Sequence, residues 1–255
     1  MKVDYISDLH LEKWAIYREG MSLEEWQADT EGYLAQTLPK DFGEILLFAG
    51  DFSHFNVQTK WTIAYYAARY TQVIFVFGNH DYHIHKNAYQ AFETSEERLN
   101  DIREFAATLP NVTLLENFAS TTYKGITIRG AVNWFDASKL VEKKEVYLNH
   151  GDYIRVVGTT VTEMYKDESA HLNDAESSTI LLTHYPAIPS VRNEKFSPEM
   201  NIAPRNIKAN VYVCGHCHGS EVMPLPHGVQ LLHAAGRPAD RDNLIPEIWS
   251  FYLKD

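Results

Sequence analysis

The chain has 255 residues, 45% of them hydrophobic and 22% charged, which excludes disordered, collagen-like and coiled-coil classes and suits one domain spanning residues 1–255. Its 23 Lys and Arg against 34 Asp and Glu give a net charge of −11, which argues against an extended nucleic-acid surface but leaves room for a nucleotide where bound metal supplies the positive charge. No apolar run approaches the roughly 18 residues of a membrane span, and Asp4 and Asp8 interrupt any amino-terminal signal; the two cysteines, Cys214 and Cys217, are too close to staple a fold, so the chain reads as cytoplasmic.

Short apolar runs bounded by Gly, Asn, Asp or Pro predict strands, and the first is Val3 to Ser7. Ser22 with Glu25 forms a capping box, after which Leu23, Trp26, Leu34 and Leu38 recur at helical spacing. A strand at Ile45 to Ala49, a helix at Gln58 to Tyr70 and a strand at Gln72 to Phe77 follow. A second capping box, Thr94 with Glu97, opens a helix carrying Leu99, Ile102, Phe105 and Leu109. This alternation predicts a mainly parallel sheet. Candidates at Val112 to Leu115 and Ile126 to Val132, with a Lys124-Gly125 turn, predict antiparallel pairing in a second or mixed sheet. The remaining strands are Ile180 to Thr183, Val211 to Cys214, Val229 to Ala234 and Ile248 to Leu253. Glu142 to Glu145, mixed with lysines, reads as a solvated helix face, and Tyr185 to Pro204 as a long surface loop.

Five motifs each stand just past a predicted strand: Asp8-Leu9-His10, Gly50-Asp51, Gly78-Asn79-His80-Asp81, His184, and Gly215-His216-Cys217-His218. Ligands of open α/β sheets bind beyond the carboxyl ends of strands, so these residues are expected to converge on one rim. Carboxylate, amide oxygen and imidazole together suit Mn²⁺, Fe²⁺ or Zn²⁺ and not a thiolate cluster. The donors exceed one ion's needs, and two ions require a shared carboxylate, hence an Asp in the middle of the set. Any one motif alone reads as an ordinary turn. Outside them, His54 and His83 are near enough in sequence to face the pocket as substrate contacts, and Trp134 and Phe135 read as core. The loop cations Arg192, Lys195, Arg205, Arg237 and Arg241 are unranked candidates for a substrate phosphate. The Cys214 and Cys217 pair lacks the second pair a structural zinc needs, so Cys214 reads as a small apolar strand end and Cys217 as a variable position.

In order, D-x-H, G-D, G-N-H-D, H and G-H-x-H resemble the calcineurin-like metallophosphoesterases from Asp8 to His218, and the SDLHLE opening is similar to compact bacterial or phage phosphohydrolases. The resemblance implies an α/β fold, a four-layer sandwich of two mixed β-sheets flanked by helices. It implies Asp8, His10, Asp51 and His218 around one metal and Asp51, Asn79, His184 and His216 around the other, with Asp51 bridging. It also implies His80 beside the phosphate as acid or charge stabiliser, oriented by Asp81. The activity implied is phosphodiester or phosphomonoester hydrolysis with a metal-bridging hydroxide as nucleophile, acting on a small phosphate ester or nucleotide. A nuclease is the alternative enzyme, opposed by the acidic charge and by the short stretch, residues 219–255, after the last motif. A non-catalytic scaffold predicts damaged motifs, whereas these are intact. A protein Ser/Thr phosphatase calls for an arginine after the G-N-H-E region, where Tyr82 and His83 stand here. Substrate, metal pair and oligomeric state stay open.

Overall fold

The computed structural model describes residues 1–137, 151–172, 177–187, 208–234 and 247–253. In chain order, the first half runs β1 (Lys2–Ile6), α1 (Leu23–Thr37), β2 (Ile45–Ala49), α2 (Asn56–Ala67), β3 (Gln72–Val76), α3 (Asn79–Tyr82), α4 (Ser95–Ala107) and β4 (Val112–Leu114). The second half runs β5 (Ala119–Tyr123), β6 (Ile126–Ala131), α5 (Gly151–Arg155), α6 (Val161–His171), β7 (Ser178–Thr183), β8 (Ala209–Cys214), β9 (Ser220–Leu225), β10 (Gly228–His233) and β11 (Trp249–Tyr252).

One sheet has the order β11-β1-β2-β3-β4, parallel except for β11, with Val3 opposite Ile45 and Ile45 opposite Gln72. The other has the order β5-β6-β7-β8-β10-β9, parallel in its centre and antiparallel at both edges. Strand periodicity divides the first sheet's side chains between two cores. Ile6, Leu46, Phe48, Val73 and Phe75 meet Leu34 of α1, Ile63 and Tyr66 of α2 and Leu99 and Ile102 of α4. Val3, Tyr5, Ile45, Leu47, Ile74 and Val76 face Ile128, Ile180, Leu182, Val211 and Val213 of the second sheet. The result is two mixed sheets flanked by helices, as the resemblance implies.

Both expected capping boxes form, on Ser22 with Glu25 and on Thr94 with Glu97, each contributing about 1 kcal/mol. A third, Thr160 with Glu163, opens α6, which the sequence reading did not propose. Strand β9, whose sequence SEVMPL carries a proline, is likewise absent from the sequence-based expectations; an edge strand tolerates proline because one of its two edges has no ladder to complete. The expected helix face at Glu142 to Glu145 and the loop from residue 188 onward lie outside the described residues. Among the described residues no helix is long and apolar enough to cross a membrane.

The parallel strands β1, β2, β3, β7 and β8 end on a common rim, where backbone bonds tie one motif to the next. Asp8 N donates to Gly50 O at 2.9 Å, His10 N to Asp51 O at 3.2 Å, and Gly215 N to His184 O at 3.0 Å.

Candidate metal centre

At this rim the chain leaves the extended region. Asp8, His10, Asp51, His216 and His218 all adopt positive φ, between 43° and 68°. Such backbone costs of order 1 kcal/mol or more per non-glycine residue and persists where the surroundings over-determine it. Each turn aims its side chain back across the strand ends. Two loops must also nearly touch: a Cβ at Gly50, itself at φ 80°, would collide with the backbone of Gly78, so the G-D and G-N-H-D motifs need glycine there for close approach.

One ligand atom from each of Asp8, His10, Asp51 and His218 lies within 4.8 Å of the others. His10 Nε2 stands 2.9 Å from His218 Nε2 and 3.6 Å from Asp51 Oδ2, and His218 Nε2 stands 3.5 Å from Asp8 Oδ1. On the far side of Asp51, His184 Nε2 is 3.5 Å from the same Oδ2 and 2.8 Å from Asn79 Oδ1, and His216 Nδ1 is 3.3 Å from that amide oxygen. The seven expected ligands are thus brought together in two groups that meet at Asp51.

Proton accounting tests whether these donors fit cations. The Ala49 carbonyl takes the Nδ1 proton of His184 at 2.7 Å, so a neutral ring presents a bare lone pair at Nε2. That lone pair faces Asn79 Oδ1, another acceptor, because Asn79 Nδ2 donates to Asp152 Oδ1 at 2.7 Å. Two acceptors at 2.8 Å repel unless a cation lies between them. Asp51 repeats the pattern: Oδ1 accepts from His80 N at 2.9 Å, while Oδ2 is buried with no hydrogen-bond partner, flanked by His10 and His184. An unpartnered carboxylate oxygen with an imidazole on either side fits a bridging ligand, and the residues present fit two divalent ions.

The electrostatics agree. Burial pushes the Asp51 carboxyl well above the usual range, and the charges of Asp8, Asp81 and Asp152 add to the effect. Burial also opposes ionisation of Asp8, but His184, His218, His10 and the Ser7 hydroxyl outweigh it and hold that carboxyl low. Burial holds His184 down at about 4 and His218 at about 3, leaving both imidazoles neutral at physiological pH, the form that ligation requires.

His80 borders the first group, its ring centroid 4.6 Å from that of His10. Asp81 departs from its expected place beside that ring. It is the third residue of a tight helical turn, and its carboxylate folds back to accept from Gly78 N at 2.7 Å, Asp51 N at 2.9 Å and Phe52 N at 3.2 Å. Asp81 therefore fastens two loops together. The partner of His80 Nδ1 is His54 Nε2, at 2.8 Å. The other expected substrate contact, His83, is 1% exposed with Nε2 bonded to Asp152 Oδ1 at 2.7 Å.

Three supporting residues escaped sequence reasoning. Asp152 accepts from Asn79, His83 and the Tyr185 hydroxyl, the last at 2.8 Å, and so orients a ligand from behind. Glu12 Oε1 stands 3.3 Å from His10 Nδ1. Arg98, fully buried, donates to Asn56 Oδ1 and to the carbonyls of His80, His83 and Ser53. Cys214 and Cys217 are buried and packed with Leu232. Arg192, Lys195, Arg205, Arg237 and Arg241 lie outside the described residues.

Two mixed sheets with a carboxylate, amide and imidazole cluster at their rim define a metallohydrolase. The profile of the calcineurin-like phosphoesterases matches residues 1–220, and the chain belongs to this family of metal-dependent phosphoester hydrolases. No curated protein matches by sequence. Among solved structures, the phosphopantetheinyl hydrolase PptH from Mycobacterium tuberculosis is similar at 16% identity and a TM-score of 0.69, covering 98% of this chain and 95% of that one. An archaeal phosphodiesterase aligns at 11% identity and a TM-score of 0.40, over 99% of this chain and 100% of that one. Vps29 from Entamoeba histolytica aligns at 12% identity and a TM-score of 0.38, over 100% of this chain and 87% of that one.

Proposed function

We propose that residues 1–255 form a single two-metal phosphohydrolase domain acting in the cytoplasm on a phosphodiester or phosphomonoester of small or nucleotide-like character. The observation that carries this reading is the buried, unpartnered Oδ2 of Asp51 with His10 Nε2 at 3.6 Å and His184 Nε2 at 3.5 Å. In it, Asp8, His10, Asp51 and His218 hold one ion and Asp51, Asn79, His184 and His216 hold the other. A pair of ions held there would supply a water acidic enough to attack phosphorus near neutral pH and a clamp on the phosphoryl oxygens. Mn²⁺, Fe²⁺ and Zn²⁺ all suit the donors.

The chain's own contribution is positional. Glu12 and the Ala49 carbonyl face the outer nitrogens of His10 and His184, and Asp152 holds the Asn79 amide, so each donor atom is turned inward. His80 is the acid or charge stabiliser. With Nδ1 accepting from His54, the ring is neutral and its proton resides on Nε2, where it would stabilise charge on the leaving oxygen by donating a hydrogen bond.

The test is hydrolysis of bis-p-nitrophenyl phosphate beside p-nitrophenyl phosphate with added Mn²⁺, using Asp51→Asn as the contamination control. Diester turnover absent from the variant supports a phosphodiesterase and monoester preference a phosphatase. A phosphopantetheinyl ester is the first natural substrate class to add, since the similar PptH is named for hydrolysing one. Failure of every ester with two metals bound would overturn the reading in favour of a scaffold.

A further inference from the structure

Beside the paired centre lies a second concentration of imidazoles. One ring nitrogen from each of His54, His80 and His83 lies within 4.8 Å of the other two. His54 Nε2 and His80 Nδ1 are 2.8 Å apart. The His83 ring is 1% exposed, and because its Nε2 proton goes to Asp152 Oδ1 at 2.7 Å, its Nδ1 keeps a lone pair; that atom is buried with no hydrogen-bond partner. An unsatisfied acceptor in such a place is costly unless something fills it. A carboxylate behind an imidazole, with the opposite nitrogen bare, is the arrangement that prepares a histidine to bind metal.

Two further features favour a cation. Glu12 Oε1, 3.3 Å from His10 Nδ1, also lies 3.6 Å from His54 Nε2 and brings a negative charge to the edge of the cluster. The loop that carries the rings is also braced: Arg98 Nη1 binds the backbone carbonyls of both His80 and His83, and the His85 ring stacks on that of His54 at 3.8 Å between centroids and 9° between planes. Nitrogens bound to one zinc at about 2.0–2.1 Å in a tetrahedron stand about 3.3 Å apart. The 2.8 Å between His54 Nε2 and His80 Nδ1 and the 4.8 Å within which the third nitrogen lies bracket that spacing.

We propose that His54, His80 and His83, with Glu12 beside them, form a third metal site for a zinc-like divalent cation, separate from the pair around Asp51. A cation there occupies Nδ1 of His80 and keeps the ring proton on Nε2. That consequence, unlike the site itself, rests on the role given to His80 above.

The test uses the full chain, stripped by chelator, reloaded with Zn²⁺ alone, desalted and assayed for zinc per chain by mass spectrometry, with circular dichroism to verify folding. The wild type should retain three equivalents, and His54→Ala and His83→Ala two each. Should buried His83 resist replacement, His54→Ala carries the test. Asp51→Asn should keep the zinc that His83→Ala loses. Two equivalents in the wild type, unchanged in both histidine variants, would overturn the third site, make the cluster a hydrogen-bonded stack and leave the paired centre standing. A single equivalent, lost in His83→Ala, would support this site and overturn the pair instead. A wild type holding no zinc would overturn both.

Discussion

Arg98 is where the fold and the candidate site are most tightly joined, and Arg98→Met removes that join while keeping the helix-compatible stem. The guanidinium donates from Nε to Asn56 Oδ1 at 2.9 Å, from Nη1 to the carbonyls of His80 at 2.8 Å and His83 at 2.5 Å, and from Nη2 to the Ser53 carbonyl at 2.6 Å. Burial pulls its pKa down to about 10, with Asp81, Glu12 and Asp51 opposing the shift, so it stays charged. Hydrogen bonds from a charged donor contribute about 1.5–3 kcal/mol each, non-additively, and taking one partner from a buried ionic set costs about 3–5 kcal/mol. The expected loss is about 4 kcal/mol, or roughly 10 °C in Tm for a chain of this length. Urea unfolding followed by circular dichroism measures it, with an unchanged m-value verifying that the unfolded states match. Arg98→Lys keeps the charge but cannot span carbonyls on both sides, so it should recover only part of the loss. A loss below about 1 kcal/mol in Arg98→Met would refute the argument that this side chain braces the two loops.

Asp51→Asn should lose the paired metals together with at least 10³-fold in kcat, a magnitude set by what two-ion activation supplies; metal analysis and turnover on the same preparation check it, and a metal-free variant with full activity contradicts it. His80→Ala should keep the metals around Asp51 while kcat falls roughly 10²- to 10⁴-fold; loss of those metals would assign the ring a different job. Acid should destabilise the fold. Burial lowers His54 to about 2 and His184 to about 4, and holds His80 well below the ordinary 6.5, so the unfolded chain takes up protons that the folded chain refuses. Their stabilisation is present above 6.5 and lost as pH falls, about 1.4 kcal/mol per ring between pH 7.5 and 5.5, or roughly 4 kcal/mol for three. Asp81, raised to about 6 by burial against Arg98 and three backbone donors, shifts the other way and returns about 1 kcal/mol, and buried Asp51, raised well above the carboxylate range, returns more, while His218 at about 3 and His85 at about 4 add to the loss. A Tm of the metal-free chain that is equal at the two pH values would contradict this.

The donors of the candidate site were legible because each follows an apolar run that reads as a strand, and strand ends converge whatever lies between them. Asp51 and His184 are 133 positions apart in sequence yet 3.5 Å apart at the rim. Partners of partners were not legible in this way. Asp152 sits in a five-residue helix and belongs to none of the five motifs. Asp81 has the residue type expected for orienting His80, but a three-residue return to Gly78 N is the shorter path for its carboxylate. Arg98 did leave a signal: it lies four positions before Ile102 and eight before Ala106, on the buried stripe of α4, where an arginine is out of place unless something inside needs it. Strand β9 was missed for a different reason, since its alternate exposure is the pattern of an edge and gives no continuous apolar run.

The left-handed turns at Asp8, His10, Asp51, His216 and His218 make the rim a constraint on the backbone as well as on donor chemistry. A β-branched side chain at any of these positions is strained whatever atoms it carries, so the choice of residue there is narrowed twice, once by the turn and once by the ligand atom it must present. Drift at the rim is therefore slower than the chemistry of its donors alone would require.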